Sequence, residues 1–205
     1  MSRLARDFFA RPVLDVAPEL LGARLVHGDV VLRLTEVEAY AGTADPGSHA
    51  FRGPTPRTAV MFGPAGHLYV YFTYGMHWCA NVVCGVEGEA SAVLLRAGEL
   101  EAGHDLVAQR RPGVTSRDLA RGPARLARSL ALDGTHTGAD VCADDAEVHL
   151  LEPTTEVDRS LVRTGPRVGV SGPGGDGAAY PWRFWIDAEP TVSAYRPGVI
   201  RRRAR

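Results

Sequence analysis

The stretch "LTEVEAY" sets two carboxylates, Glu36 and Glu38, two residues apart and adds a phenol, Tyr40, two residues further on. Side chains spaced by two share a face of an extended strand, so the three groups would project together. A glutamate with apolar neighbours and a pocketed setting can be tuned into a general base. The same spacing also suits a solvated strand edge, or a carboxylate pair of the kind that cleaves glycosidic bonds. His49, in "GSHAFRG", adds a titratable group in a glycine-rich segment, where it is either plain surface or a residue that shapes a ligand site.

A second constellation is "HLYVYFTYGMHW", His67 to Trp78, which gathers three tyrosines, a phenylalanine and a tryptophan in a chain that is 7% aromatic overall. Alternation in "LYVYF" is that of a half-buried strand, so Tyr69 and Tyr71 face a core or a pocket. "TYGM" has another logic. Thr73 to Met76 reads as a hairpin turn in which Gly75 supplies an unusual backbone angle, which leaves Tyr74 and Met76 at an exposed tip. Large apolar groups at a tip mark a contact, and wedging between stacked bases is one such contact. Across the hairpin, Asn81 points back toward whatever Tyr69 or Tyr71 faces.

Other chemistry is disfavoured. "HWCANVVC" offers His77, Cys79 and Cys84, but their spacing is not that of a tetrahedral metal site and no second cluster completes one. "GPGGDG", Gly172 to Gly177, has neither the lysine nor the following helix of a phosphate loop. All 23 basic residues are arginine, so a lysine Schiff base is excluded.

These groups need a scaffold. The opening predicts a helix carrying Leu4, Phe8 and Phe9 that ends at Pro12, and a second over "DVAPELLG" with Asp15 as N-cap and Gly22 as stop. "ARLVHGDVVLRLTEVEAY" predicts a hairpin turning at His27 to Asp29, with Leu32, Leu34, Glu36 and Glu38 on one face of its second strand if no bulge intervenes. Residues 42–67, rich in glycine and proline, form a long loop, a class that is usually functional. "ASAVLLRAGEL" predicts a buried strand ending in Arg96, and "GPARLARSLAL" a helix with Pro123 near N1 and Leu126 and Leu130 inward. "PRVGV" and "WRFWI" suggest further strands.

At 205 residues the chain fits one domain, spanning 1–205, and no apolar run reaches the ~18 residues of a membrane span. With no signal-peptide pattern at the start and three cysteines, Cys79, Cys84 and Cys142, a cytoplasmic protein with reduced thiols is expected. The net charge of −1 and pI of about 6.7 give no whole-molecule sign of nucleic-acid binding. Arginines do cluster from Arg110 to Arg128 and in the tail "RRRAR".

The segment "TEVEAYAGTADPGSHAFRGPTPRTAVMFGPAGHLYVYFTYGMHWCANVV" resembles the motif core of the alkyladenine (3-methyladenine) DNA glycosylases, and "AVLLRAGE", "ARGPARLARSLAL", "PRVGV" and "WRFWI" extend the resemblance over nearly the whole chain. The ordered series E-x-E-A-Y, S-H, T-P-R, M-F, L-Y-V-Y, Y-G-M and V-L-L-R is highly specific. It implies a single α+β domain, a curved antiparallel sheet flanked by helices, with a protruding β-hairpin that inserts into DNA. It implies a monofunctional hydrolase acting on N-glycosyl bonds, without lyase activity, that flips alkylated or deaminated purines out of duplex DNA to start base-excision repair. By that resemblance Glu38 would be the general base, with Arg96 and His49 helping to hold the water. Tyr40, His49 and Tyr71 would stack on the flipped base, and Asn81 would stand where the amino group of guanine clashes. Tyr74 would intercalate, while Met61, Tyr69 and Met76 would lie near DNA or pocket. Arg57, Arg121 and Arg125, with N–H groups of the helix start near Gly122, are expected to contact phosphates. No metal or organic cofactor is required, the partner is double-stranded DNA containing damaged purines, and a monomer is expected. A non-catalytic damaged-DNA-binding module is the competing reading. Two departures stand out: His77 occupies a place where an aromatic is common, and Glu87 and Glu89 add acidity beyond the hairpin.

Overall fold

The computed structural model describes residues 2–199. Eight strands, all paired antiparallel, make one sheet: β1 Arg24–His27, β2 Val30–Tyr40, β3 Leu68–Thr73, β4 His77–Val83, β5 Ala92–Ala102, β6 Val148–Leu151, β7 Val162–Gly165 and β8 Arg183–Ile186. The order is β3-β4-β5-β2-β1-β6, with β8 joining β2 beyond β1 and β7 closing on β8. Four helices accompany the sheet: α1 Arg6–Phe9, α2 Val13–Glu19, α3 His104–Arg110 and α4 Pro123–Leu130. The α+β class and the single sheet with flanking helices expected from the sequence are what is observed.

The helices cover one face. Leu126, Ala127 and Leu130 of α4 and Val16 and Ala17 of α2 join Leu25, Leu32, Leu68, Val82 and Leu95 of the strands in one core. The other face carries a smaller cluster, Ala50, Met61, Tyr69, Val83, Ala90 and Ala92, beneath the long loop 42–67. On β3, β4 and β5 alternate residues divide between the two clusters, as the period-two geometry of a strand requires.

On β2 the alternation changes phase. Leu32 and Leu34 belong to the helix-side core, but so do Val37 and Ala39. The reason is a paired irregularity in the β2–β5 ladder: Leu34 faces Gly98, Glu36 faces Ala97 and Val37 faces Leu95, so Thr35 and Arg96 are each skipped. An extra residue bends the strand and re-aims the side chains that follow. Glu36 and Glu38 therefore do not continue the face of Leu32 and Leu34, as uninterrupted alternation predicted; they are turned to the loop-covered face.

Other boundaries also differ. Helix α2 begins at Val13, with Pro12 before it, so Asp15 is a first-turn residue and not the N-cap. Arg96 sits in the middle of β5 because that strand runs on to Ala102. "NVV" is the end of β4, and "PRVGV" is irregular chain whose arginine is buried. Helix α4 follows the prediction, with Pro123 at its first position.

Candidate functional site

On the loop-covered face the strand register lines up a row of cross-strand neighbours. Tyr69 pairs with Asn81, Asn81 with Leu94, Leu94 with Glu38, and Glu38 with Arg183, crossing β3, β4, β5, β2 and β8. Above this row opens a cleft of about 460 Å³, walled by Tyr40, His49, Met61, Tyr69, Tyr71 and Val168, with Cys79, Asn81, Leu94 and Arg96 at its base. Tyr74 and His77 of the hairpin and Pro123 and Ala124 of α4 form its rim.

The aromatic groups pack on one another. His49 meets Tyr71 edge-on at 4.6 Å between centroids, Tyr69 and Tyr71 lie 5.4 Å apart, and His49 Nδ1 is 3.1 Å from the Tyr69 hydroxyl. Partial burial, then the nearby charge of Arg57, lower the His49 pKa below its usual value, so its ring is neutral at pH 7. Burial raises the Tyr71 and Tyr40 phenols well above the usual tyrosine value, and Glu38 adds to both shifts. Asn81 is buried, its amide donating to the Tyr69 carbonyl at 2.8 Å.

Glu38 lies one layer beneath the cleft floor. Its carboxylate is fully buried; Oε1 accepts the Val168 backbone N–H at 2.6 Å, and Oε2 accepts the Tyr40 hydroxyl at 2.8 Å with Arg96 Nη1 at 3.2 Å. The three groups that hold it, Tyr40, Arg96 and Val168, all reach the cleft surface. Glu36, also fully buried, accepts four hydrogen bonds: from Arg96 Nε at 2.8 Å, Arg183 Nε at 2.7 Å, the Ser193 hydroxyl at 2.9 Å and the Ser193 N–H at 2.7 Å. Burial would raise its pKa, but Arg96 and Arg183 outweigh that and hold it below the usual carboxylate range. Glu36 thus has no capacity to act on a substrate beside Glu38, and the carboxylate-pair chemistry open at the sequence level has no geometric basis here.

Several supporting residues escaped the sequence reading. Arg167 is buried and pairs with the equally buried Asp45, its Nη2 donating at 2.7 Å to Oδ1 and at 2.8 Å to the Gly174 carbonyl. Its guanidinium lies 4.5 Å from the centre of the Tyr40 ring, with Tyr180 and Trp182 also in reach. This places Val168, the donor to Glu38, directly after a fixed side chain. Nothing local pairs Asp45 with Arg167, since the two are more than a hundred residues apart in the chain. Cys79 at the cleft base was weighed only as a metal ligand; among the described residues no three His, Cys, Asp or Glu side chains converge as a metal site.

The hairpin tip is built as the sequence suggested and more sharply turned. Tyr74 and Gly75 both have positive φ, 51° and 66°, and Met76 N–H donates to the Thr73 carbonyl at 3.1 Å. Two left-handed residues in sequence match the twist of a tight hairpin, which glycine adopts freely and tyrosine does not. Tyr74 is 79% and Met76 67% exposed. Met61 and Tyr69, by contrast, are buried in the cleft wall. Arg57 lies over the Tyr71 ring at 5.3 Å. Arg121 donates to the Val192 carbonyl at 2.8 Å, and Arg121 and Arg125 both approach Asp118 Oδ1, at 3.7 Å and 3.0 Å. They stand beside the start of α4, at the cleft rim.

The sheet thus carries an aromatic cleft, a carboxylate–arginine pair at and beneath its base and a projecting hairpin, and comparison with known proteins gives the chain a class. The family model described as methylpurine-DNA glycosylase (MPG) matches residues 7–190, and the chain belongs to that family. Among its relatives, a protein of Streptomyces avermitilis named "Putative 3-methyladenine DNA glycosylase" is 58% identical, the match covering 98% of this chain and 95% of that protein. Proteins with the same name from Frankia casuarinae and Burkholderia lata are 52% and 44% identical, each match covering 93% of this chain. No helix among the described residues is long and apolar enough to cross a membrane.

Proposed function

We propose that the protein is a DNA glycosylase that hydrolyses the N-glycosidic bond of alkylated purines, 3-methyladenine among them, and of deaminated purines such as hypoxanthine. The observation that carries this reading is one cleft walled by Tyr40, His49 and Tyr71, beneath whose floor Glu38 is held by Tyr40 and Arg96. A base within a duplex hides its glycosidic bond and must be rotated out at a cost of a few kcal/mol. Base-aromatic stacking is worth about 1–3 kcal/mol per base, so two or three rings offset that cost. Alkylated purines carry positive charge and gain further from π faces. Tyr74, exposed on its turn, fills the gap left in the stack, and Met76 lies against the groove. Asn81 at the cleft base excludes the amino group of guanine.

Glu38 serves as general base toward a water that attacks C1′, with Arg96 and neutral His49 orienting that water. The chain has no lysine, so water and not a side-chain amine is the nucleophile, and the lyase reaction has no lysine to support it. Arg57, Arg121 and Arg125 meet phosphates as a monomer docks on duplex DNA; because each phosphate contact releases counterions, affinity falls as ionic strength rises.

One observation favours a binding-only module: the Glu38 carboxylate is covered by Tyr40 and Arg96. Free-base release from a panel of duplexes, each with one lesion, separates the readings. Wild-type protein is expected to release base, and Glu38→Gln to lose about 10²–10⁴-fold in rate while binding the same duplexes. No release from any 3-methyladenine, 7-methylguanine or hypoxanthine duplex would refute the enzyme reading.

A further inference from the structure

Behind Glu38 lies a second buried ionic layer. Arg96 uses three edges of its guanidinium: Nε donates to Glu36 at 2.8 Å, Nη2 to the Ser193 hydroxyl at 3.2 Å, and Nη1 stands 3.2 Å from Glu38. Arg183 makes no hydrogen bond to Glu38; its Nε goes to Glu36 at 2.7 Å and its Nη2 to the Ser193 carbonyl at 2.7 Å. Ser193 belongs to a short strap, 191–193, pinned across the irregularity in β2 and β5. Thr191 bonds Thr35 hydroxyl to hydroxyl at 2.9 Å, and the Val192 carbonyl accepts from Arg121 at the rim. The strap lies just past the last residue that the family model matches.

The charges in this layer balance as two pairs. Glu36 is neutralised by Arg183, which leaves the charge of Arg96 for Glu38. Without Arg183, Arg96 would be shared between two buried carboxylates; without Glu36, the Nε groups of Arg96 and Arg183 would both lose their acceptor and the Arg96 guanidinium would be less firmly held. Such groups are held in productive orientation only when their own hydrogen bonds are locked.

We propose that Glu36, with Arg183 and the Ser193 strap, is a positioning unit that fixes the orientation of Arg96 and reserves its charge for Glu38. The inference rests on the reading of Glu38 as general base. The groups that face Glu38 are Tyr40 from its own strand, Arg96 from β5, Tyr71 from β3, Cys79 from β4, and Arg167 with the Val168 N–H from the chain before β8. None of these is altered by the variants below, so any change in pH dependence arises in the second layer.

Single-turnover release of hypoxanthine from a one-lesion duplex, followed from pH 5 to 9, provides the test. Arg183→Met is expected to lower the plateau rate about 10–100-fold, the scale of a misplaced catalytic group, and to move the acidic limb of the profile upward by roughly half to one pH unit. Glu36→Gln is expected to lower the plateau similarly and move the limb downward. Arg183→Lys, which keeps charge but not the forked donors, should leave the limb in place with a reduced plateau. Ser193→Ala keeps every charge and is the mildest change; it should cost several-fold in plateau rate with binding unaltered, and it decides the matter if the buried-charge variants do not fold. For Arg183→Met and Glu36→Gln, folded protein with a lower rate and an unmoved limb would mean a purely structural role and overturn the proposal, as would wild-type rates for Ser193→Ala. Glu38→Gln in the same assay separates the two levels: if it retains the wild-type rate, the general-base reading fails first; if it is inactive while the second-layer variants behave as wild type, only the positioning role fails.

Discussion

At and just beneath the cleft floor, Glu36, Glu38, Arg96 and Arg183 have at most 6% of any side chain exposed, and each is held by named partners on two or more segments; at the hairpin tip Tyr74 is 79% exposed. The floor consists of charges withdrawn from water, whose burial is tolerable only because each is paired and hydrogen-bonded. The tip is an apolar group left in water on a backbone that an L-residue adopts reluctantly. The contrast teaches that the floor is fixed by the fold, whereas the tip side chain is left in solvent.

The contrast can be broken most severely at the floor's outer support. Asp45→Ala would strand Arg167 as a buried, unpaired cation, which typically costs about 3–5 kcal/mol, so a large drop in melting temperature is expected by calorimetry. Base release should fall with it, because Arg167 supports Tyr40 and precedes the Val168 donor. A melting temperature within a degree of wild type would show that this pair is not the support described.

Next in size is removal of the wedge. Tyr74→Ala should leave folding intact and lower processing of duplex lesions by about 5–150-fold, the equivalent of 1–3 kcal/mol of lost stacking. Release from a single-stranded lesion, where no stack needs filling, should change far less. Equal losses on both substrates would remove the case for intercalation.

Tyr74→Gly sharpens the same point on stability. Glycine relieves the left-handed strain, worth about 1–2 kcal/mol, but loses more backbone entropy, about 0.5–1 kcal/mol, so urea denaturation should show a gain of about 0–1.5 kcal/mol while activity drops. A variant both more stable and less active would mark strain kept for function.

The smallest effect concerns His49. Its pKa is lowered in the folded protein by burial and by Arg57, so folding favours the neutral ring. The associated stability is complete above the unfolded value of about 6.5 and is lost as pH falls from there through the folded value. An NMR titration should place the His49 midpoint below the usual histidine value of about 6.5, and Arg57→Gln should raise it. An unmoved midpoint would remove Arg57 from the pocket's electrostatics.

Much of this was legible in the sequence because it is local. The turn at Tyr74-Gly75, the strand alternation of Tyr69 and Tyr71, the helix start at Pro123 and the ordered motifs of the family each depend on residues within a few positions of one another, where backbone sterics and side-chain period act directly. Two same-strand glutamates could also be read as neighbours. The face they meet could not, because a compensated irregularity at Thr35 and Arg96 re-aims them, and that depends on the register of a strand about sixty residues away. Asp45 with Arg167, and Glu36 with Arg183 and Ser193, are pairs separated by more than a hundred residues, and no propensity or spacing links them. The sequence by itself determined the fold class, the hairpin and the set of groups suited to the chemistry. Only the tertiary structure decided which carboxylate lies next to the cleft and which is consumed in support, since burial and charge pairing are properties of the packed chain and not of its order.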